Sequence, residues 1–346
     1  MSEFNPAKVY EQALQKGCKS QFDEETVNYE KRRKDTMDKS NKLIISPSRS
    51  SFFVDLGSNV NKFIGKCHRA SFMDHKHATK TNPTDTTSMR RMKYGQMHES
   101  QEHIYEEKGG ILIDKNVRMN KDINDKVRIS GELDTLANLD GHKWIVEIKS
   151  YDGYYAEKMI QGNKSKLGMP KFDHVAQNMY YLTMLKDHPE HADTEGVIFH
   201  YRTRGSLFPT YHVLQLDEVY DNNGKLVDAL PIINGIKYDF VSMKKLLMRD
   251  IELANYILAN KLPPRDPTYQ YDDDTIKYML AIGEITKSGY TKWQNGQQRL
   301  GDWQCNNRYC NYFNICRGKN CENPSDDKVM ENMKNEVIDT NNDWGM

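Results

Sequence analysis

Three residues carry the clearest chemistry in the sequence: Asp134, Glu147 and Lys149. Val127 to Leu139 alternates, with Val127, Ile129, Leu133, Ala137 and Leu139 on one face and Arg128, Ser130, Glu132 and Asp134 on the other. Asp140-Gly141 follows, a favoured pair for a two-residue hairpin turn. Trp144 to Lys149 then alternates again, with Trp144, Val146 and Ile148 on one face and Ile145, Glu147 and Lys149 on the other. A turn at 140 and 141 makes opposed residue numbers sum to 281, which sets Asp134 against Glu147 and Glu132 against Lys149. Opposed side chains in a hairpin have Cβ atoms about 4.5–5.5 Å apart. Two carboxylates at that range repel unless a cation lies between them, and oxygen donors of this kind suit Mg²⁺ or Mn²⁺. Such an ion lowers the pKa of a bound water and neutralises charge on a phosphodiester. Lys149 is then placed to orient the water or stabilise the pentavalent transition state. An acid-alternating strand is more commonly an exposed surface hairpin. Against that, Glu147 and Lys149 interrupt an otherwise apolar strand, and the register aligns the acids independently.

The surrounding elements must hold this hairpin in place. Met89 to Lys108 reads as a helix ended by Gly109-Gly110, and Lys171 to Lys186 as a helix with Val175, Met179, Leu182 and Leu185 on one side. Ile111 to Ile148, Gly196 to Arg202 and Thr210 to Leu216 read as strands. Ser46-Pro47-Ser48 looks like a helix start, and the stretch Phe52 to Ile64 leads into Cys67. Thr79 to Thr87 reads as a loop. Phe240 to Leu262 predicts a long amphipathic helix closed by Pro263-Pro264. Residues 1–42 predict a charged helical or partly disordered arm, with a helical stretch from Ala7 to Leu14. Residues 43–321 predict the main domain, and 322–346 a polar, flexible tail.

Formal net charge is zero, so bulk charge indicates no polyanionic partner, and any nucleic-acid surface must come from local clusters. These are Lys31 to Lys34, Arg90 to Lys93, Arg202 with Arg204, and Lys158, Lys164, Lys166 and Lys171. No segment has the roughly 18 apolar residues of a membrane span, and the N-terminus lacks a signal-peptide core. The expected location is cytoplasmic, where six cysteines favour metal over disulfide chemistry. Four of them crowd into the 17 residues from Cys305 to Cys321, a local set able to take Zn²⁺. Cys18 is expected to have no metal role.

Gly131-Glu132-Leu133-Asp134 followed by Ile145-Val146-Glu147-Ile148-Lys149 resembles the D…ExK core of the PD-(D/E)XK nuclease superfamily. The branch it looks most like is the RecB-like, CRISPR-associated and AddB-like iron–sulfur exonucleases. Tyr94 to His98 resembles that branch's Gly-x-x-His element, and Gln177 to Tyr181 its Gln-x-x-x-Tyr motif, with His174 one turn earlier and Tyr180 a near neighbour. The resemblance implies an α/β fold with a mixed central sheet flanked by helices, an N-terminal helical arm and a cysteine-clasped C-terminus. It places His98, Asp134, Glu147 and Ile148 at the metal, with Glu99 and Glu102 as rivals of His98. Asp134, Glu147 and Lys149 are then catalytic, and Gln177 and Tyr181 contact DNA. Cys305-x4-Cys310-x5-Cys316 resembles the C-terminal cysteine triplet, and Cys67-His68-Arg69 the upstream Cys-Pro-Arg segment. That implies a [4Fe–4S] cluster on Cys67, Cys305, Cys310 and Cys316. Two departures stand out: the first spacing is four residues where two are usual, and Cys67 is followed by His.

The expected function is a Mg²⁺- or Mn²⁺-dependent DNase, an exonuclease on single-stranded or frayed DNA in replication, recombination or repair. A structure-selective endonuclease is the alternative with the same core. A DNA-binding recombination accessory protein that does not cleave, and a zinc-stabilised interaction module, are the rivals from other classes. Partners are DNA and, in the branch resembled, another copy of the chain or replication and recombination proteins. Richness in Asn, Lys and Tyr suits a phage-encoded enzyme.

Overall fold

The structure, a computed structural model, describes residues 41–82, 85–163, 166–203 and 209–335, with 19–21, 24 and 28 of the N-terminal stretch. The expected arm, including Ala7 to Leu14, and Cys18 lie outside the residues described, apart from those few. Strands are β1 (Leu43–Ile45), β2 (Ser51–Asp55), β3 (Asn61–Gly65), β4 (Leu112–Asp122), β5 (Val127–Leu139), β6 (His142–Tyr151), β7 (Gly162–Asn163), β8 (Lys166–Leu167), β9 (Gly196–Thr203), β10 (Pro209–Tyr220), β11 (Leu226–Ile233) and β12 (Ile236–Lys237). Helices are α1 (His68–His75), α2 (Thr86–Lys108), α3 (Tyr154–Gln161), α4 (Phe172–Leu185), α5 (Met243–Leu258), α6 (Asp273–Ala281), α7 (Lys287–Gln294), α8 (Phe313–Arg317) and α9 (Asp326–Asn335). They fall into two compact units, residues 41–48 with 85–244 and residues 49–82 with 245–335.

The first unit is α/β. Its eight-stranded mixed sheet runs β1-β5-β6-β9-β10-β11-β12, with β4 paired to β5. β1 with β5 and β6 with β9 are parallel; the other pairs are antiparallel. The β5–β6 turn is the one expected. Asp140 and Gly141 both adopt left-handed φ, +52° and +94°, as the mirror-image two-residue turn requires. Each pair from Leu139–His142 to Thr135–Val146 sums to 281. α2 packs against β4, β5 and β6, and α4 against β4, β9, β10 and β11. Asp85 starts α2 by accepting the Ser88 N–H at 2.8 Å, and the helix ends at Gly109, with Gly110 left-handed at φ +71°. Val175, Met179, Leu182 and Leu185 of α4 are all buried.

Three expectations about elements change. The helix start at Ser46 is a single 3₁₀ turn, Pro47–Arg49, followed by the β2–β3 hairpin. Phe52, Phe53, Val54, Phe63 and Ile64 favour extended backbone, and left-handed Gly57, Ser58 and Asn59 turn the chain between them. α5 is shorter than the Phe240 to Leu262 helix expected, stopping at Leu258 before left-handed Asn260. β11 was not foreseen, because Pro231 and Asp228 mask its pattern; it pairs between β10 and β12. The second unit holds the β2–β3 hairpin, α1 and α5 to α9. The polar segment expected as a flexible tail contributes α9, which buries Val329 and Met333. No helix among the described residues is long and apolar enough to cross a membrane.

Candidate active site and cysteine centre

The sheet opens where the two acids sit. β4 lines one edge of β5, while the other edge is shared: β6 pairs with residues 135–139 and β1 with residues 127–129. β6 continues along β9 as far as Tyr151. Asp134 and Glu147 are thus the first residues past the end of the β5–β6 ladder, at a fork between strands. There Ile148 N–H donates to Asp134 Oδ2 at 2.9 Å. Lys149 Nζ lies 3.1 Å from Asp134 Oδ2 and 2.6 Å from Glu147 Oε1. The sequence register put Lys149 opposite Glu132, but the ladder has ended by then. Glu132 is exposed instead, pairs across to Arg118 on β4, and lies 3.9 Å from its guanidinium.

This is a site with too much negative charge. Glu147 is completely buried, with Lys149 2.6 Å from Oε1 as its ion-pair partner and Asn178 as a second side chain that favours its charge. Burial, then the field of Asp134, pushes the Glu147 carboxyl up to about 7. Burial and Asp134 likewise push Glu99 up to about 7. The same neighbours, acting against burial, hold Lys149 firmly protonated. Glu99 on α2 therefore shares the field of Asp134 and Lys149. His98, the residue the resemblance placed at the metal, stands edge-on to Tyr94 with ring centroids 4.6 Å apart.

A stripe the sequence reading passed over joins α2 to the sheet. Glu99, Glu102, His103 and Glu106 recur at i, i+3, i+4 and i+7, the spacing of one helical face, and this was the signal available. Glu106 Oε2 accepts from Thr135 Oγ1 at 2.9 Å, and Glu102 Oε1 lies 2.5 Å from Arg202. His103 lies against the Asp134 backbone, and burial lowers its pKa. Glu102, the second rival of His98, is thus committed to Arg202, whereas Glu99 feels the charges of Asp134 and Lys149.

Gln177 and Tyr181 come together as their spacing predicts, but Tyr181 faces inward while Gln177 is half-buried. Gln177 Nε2 donates to Tyr181 OH at 2.8 Å, and Tyr181 is buried. Its ring rests on Gly131, where an added Cβ would come within 2.6 Å of Tyr181 Cε1. Burial and the charge of Glu147 push the Tyr181 phenol up, so Tyr181 borders the acids from within the core. His174 Nδ1 bonds Tyr201 OH at 2.7 Å, and Tyr180 is buried.

In the second unit, Cys67 is the N-cap of α1, where its Sγ accepts the Ala70 N–H at 3.3 Å. Burial, then Cys310, raises the Cys67 thiol, with Cys316 adding to the effect. Cys310 is pushed up to about 11 by burial, with Cys316 and Cys305 contributing; Cys305 is raised by burial, against the pull of Arg317. Cys310 and Cys316 thus neighbour both Cys67 and Cys305. Cys321 instead bonds Tyr269. Arg69 Nη1 lies 4.0 Å from Cys316 Sγ, and Arg265 and Arg299 donate to the carbonyls of Cys316 and Cys305. Among the described residues, no three His, Cys, Asp or Glu side chains form a group that could hold a metal ion as they stand. The fit of both sites to a metal rests on their donors: two close carboxylates, one of them buried, sharing a single lysine in one, and neighbouring thiols beside arginines in the other.

No protein-family profile matches the chain, and no curated protein matches it. Among solved structures it is similar to SSO0001, at 14% identity over 76% of this chain and 97% of that one, with a TM-score of 0.32. A likeness that faint leaves the reading of the site to its own geometry.

Proposed function

We propose that the chain is a metal-dependent deoxyribonuclease with a PD-(D/E)XK core of the RecB-like kind, an exonuclease acting on single-stranded or frayed DNA ends. One observation carries this reading: a completely buried Glu147 beside Asp134 at the strand fork, with Lys149 within 2.6 and 3.1 Å of the two. A surface hairpin has no cause to bury a carboxylate beside a second acid, since such burial is costly unless charge is offset. Bound Mg²⁺ or Mn²⁺ supplies the Lewis acid for phosphodiester hydrolysis. Asp134, Glu147 and Glu99 are the carboxylates that would hold it, with the Ile148 main chain orienting Asp134. Lys149 then turns its ammonium from the acids to the charge that develops on the phosphate. Gln177 and Tyr181 act as a scaffold behind Gly131.

Cys310 and Cys316, which neighbour both Cys67 and Cys305, support a [4Fe–4S] cluster on Cys67, Cys305, Cys310 and Cys316. The engagement of Cys321 with Tyr269 weighs against the zinc alternative. End-labelled single- and double-stranded DNA incubated with Mn²⁺ tests the nuclease reading. Degradation by wild type, abolished in Glu147→Gln, is expected; no metal-dependent degradation, or equal activity in the variant, refutes it. Purified protein that is colourless and contains zinc refutes the cluster.

A further inference from the structure

Tyr181 is turned into the core, so the surface leading to the fork is built by other side chains. β6 leaves the fork through Lys149 and Ser150 to buried Tyr151, and left-handed Gly153 (φ +94°) turns the chain into α3. Ile160 is fully buried, and Gln161 Nε2 donates to Tyr151 OH at 2.9 Å, so α3 is fixed to the end of β6. Its other residues face out: Tyr154 is 62% exposed, Tyr155 82% and Met159 42%. The two tyrosine rings stand edge to face with centroids 5.8 Å apart, and Lys158 Nζ sits 4.6 Å from the Tyr154 centroid. Lys149 and Tyr154 are five residues apart, so they lie within about 17 Å of each other. α2 reaches the same strand end, where an added Cβ on Gly95 would lie 3.3 Å from Ser150 Oγ. The preceding turn of α2 carries exposed Arg90 and Arg91, and Tyr94 is partly exposed.

α4 shows what this chain does with tyrosines it needs for packing: Tyr180 and Tyr181 are buried. Tyr154 and Tyr155 pack nothing in the core, and exposed apolar patches of this kind mark interaction sites. Aromatic faces beside cations, continuous with a centre suited to phosphodiesters, match a strand whose bases stack and whose phosphates need neutralising. A duplex keeps its base faces covered by its own stacking, so the ligand must be unpaired. We infer that Tyr154, Tyr155 and Lys158 form a binding site for unpaired bases of single-stranded DNA, feeding the strand to the Asp134–Glu147 fork. This rests on the reading of that fork as a nuclease centre.

Binding of a fluorescein-labelled oligothymidylate to the full chain, followed by anisotropy in EDTA, tests the site without turnover. Tyr154→Ala with Tyr155→Ala weakens binding about 10- to 100-fold, as loss of stacking on two rings predicts. The paired Tyr→Phe variant retains binding, and Lys158→Glu weakens it and flattens its salt dependence. All three side chains changed are exposed, and melting temperatures confirm that each variant folds. The inference is overturned if wild type does not bind the oligonucleotide, if the double alanine variant binds as wild type does, or if a blunt duplex loses as much affinity. It is also overturned if sedimentation shows the double variant breaking a dimer, which makes this face an interface between copies. Hydrolysis of bis(p-nitrophenyl) phosphate by wild type with Mn²⁺ reports the fork alone, because that ester is too small to span to α3. Its absence removes the nuclease reading and leaves the EDTA result to decide the stacking site.

Discussion

Asp134 and Glu147 repel, and the metal-free chain relieves that repulsion in two ways. Lys149 supplies one positive charge to both, and burial keeps protons on Glu147 and Glu99 up to about pH 7. Lys149→Met therefore removes both the counter-charge and the transition-state donor, and is expected to lower DNA cleavage by about 10²–10³-fold in a gel assay with Mn²⁺. The contrast between Glu99 and His98 is sharper. Glu99→Gln weakens Mn²⁺ binding at least about tenfold by calorimetry, whereas His98→Ala leaves it near wild type; the reverse order returns His98 to the metal. His200, whose Nδ1 lies 3.8 Å from Glu102 Oε2, supplies a pH test outside the Asp134–Glu147 pair. Its ring is buried beside Arg202, which pairs with Glu102, and under the Tyr211 ring, and burial with Arg202 holds its pKa near 4. The unfolded chain takes up that proton near pH 6.5. Stability from this group is therefore complete above about 6.5 and is lost as pH falls toward 4. NMR should show the His200 ring unprotonated from pH 8 down to pH 5; titration near 6.5 contradicts the burial.

At the scale of elements, β5 and α4 meet through Gly131 and Tyr181. Gly131 lies in an extended strand and carries no backbone strain, so its requirement is steric: a Cβ there would lie 2.6 Å from Tyr181 Cε1. Gly131→Ala is expected to destabilise by about 1–3 kcal/mol in chemical denaturation. Tyr181→Phe keeps the ring and loses only the Gln177 bond, about 0.5–1.5 kcal/mol. A larger loss from Tyr181→Phe than from Gly131→Ala makes the hydroxyl, not the packing, the important contact.

At the scale of the whole molecule, the catalytic candidates lie in one unit and the five described cysteines in the other. Cys67 and Cys305 are far apart in sequence, by about 240 residues, so a metal on both closes a long loop of chain. Cys67→Ser is expected to strip the bound metal and lower the melting temperature, while Cys321→Ser retains metal content by elemental analysis. Equal loss from the two substitutions restores the local four-cysteine set.

What the sequence by itself determined was local. The register of β5 and β6 follows from a side-chain period of two and a two-residue turn, so the alignment of Asp134 with Glu147 was legible before any fold was known. The glycine end of α2 and the buried stripe of α4 followed from the same short-range rules. Tertiary packing decided the rest. His98 and Glu99 are neighbours on a helix, separated by about 100°, and only the way α2 rolls against the sheet chooses which of them meets the fork. Gln177 and Tyr181 share a face in either case, but contact with Gly131 turned Tyr181 inward. The spacing of Cys305, Cys310, Cys316 and Cys321 suggested a local set beside the one that includes Cys67, and only the fold shows Cys67 neighbouring Cys310 and Cys316. These outcomes depend on how distant segments pack, and no periodicity within a single segment carries that information.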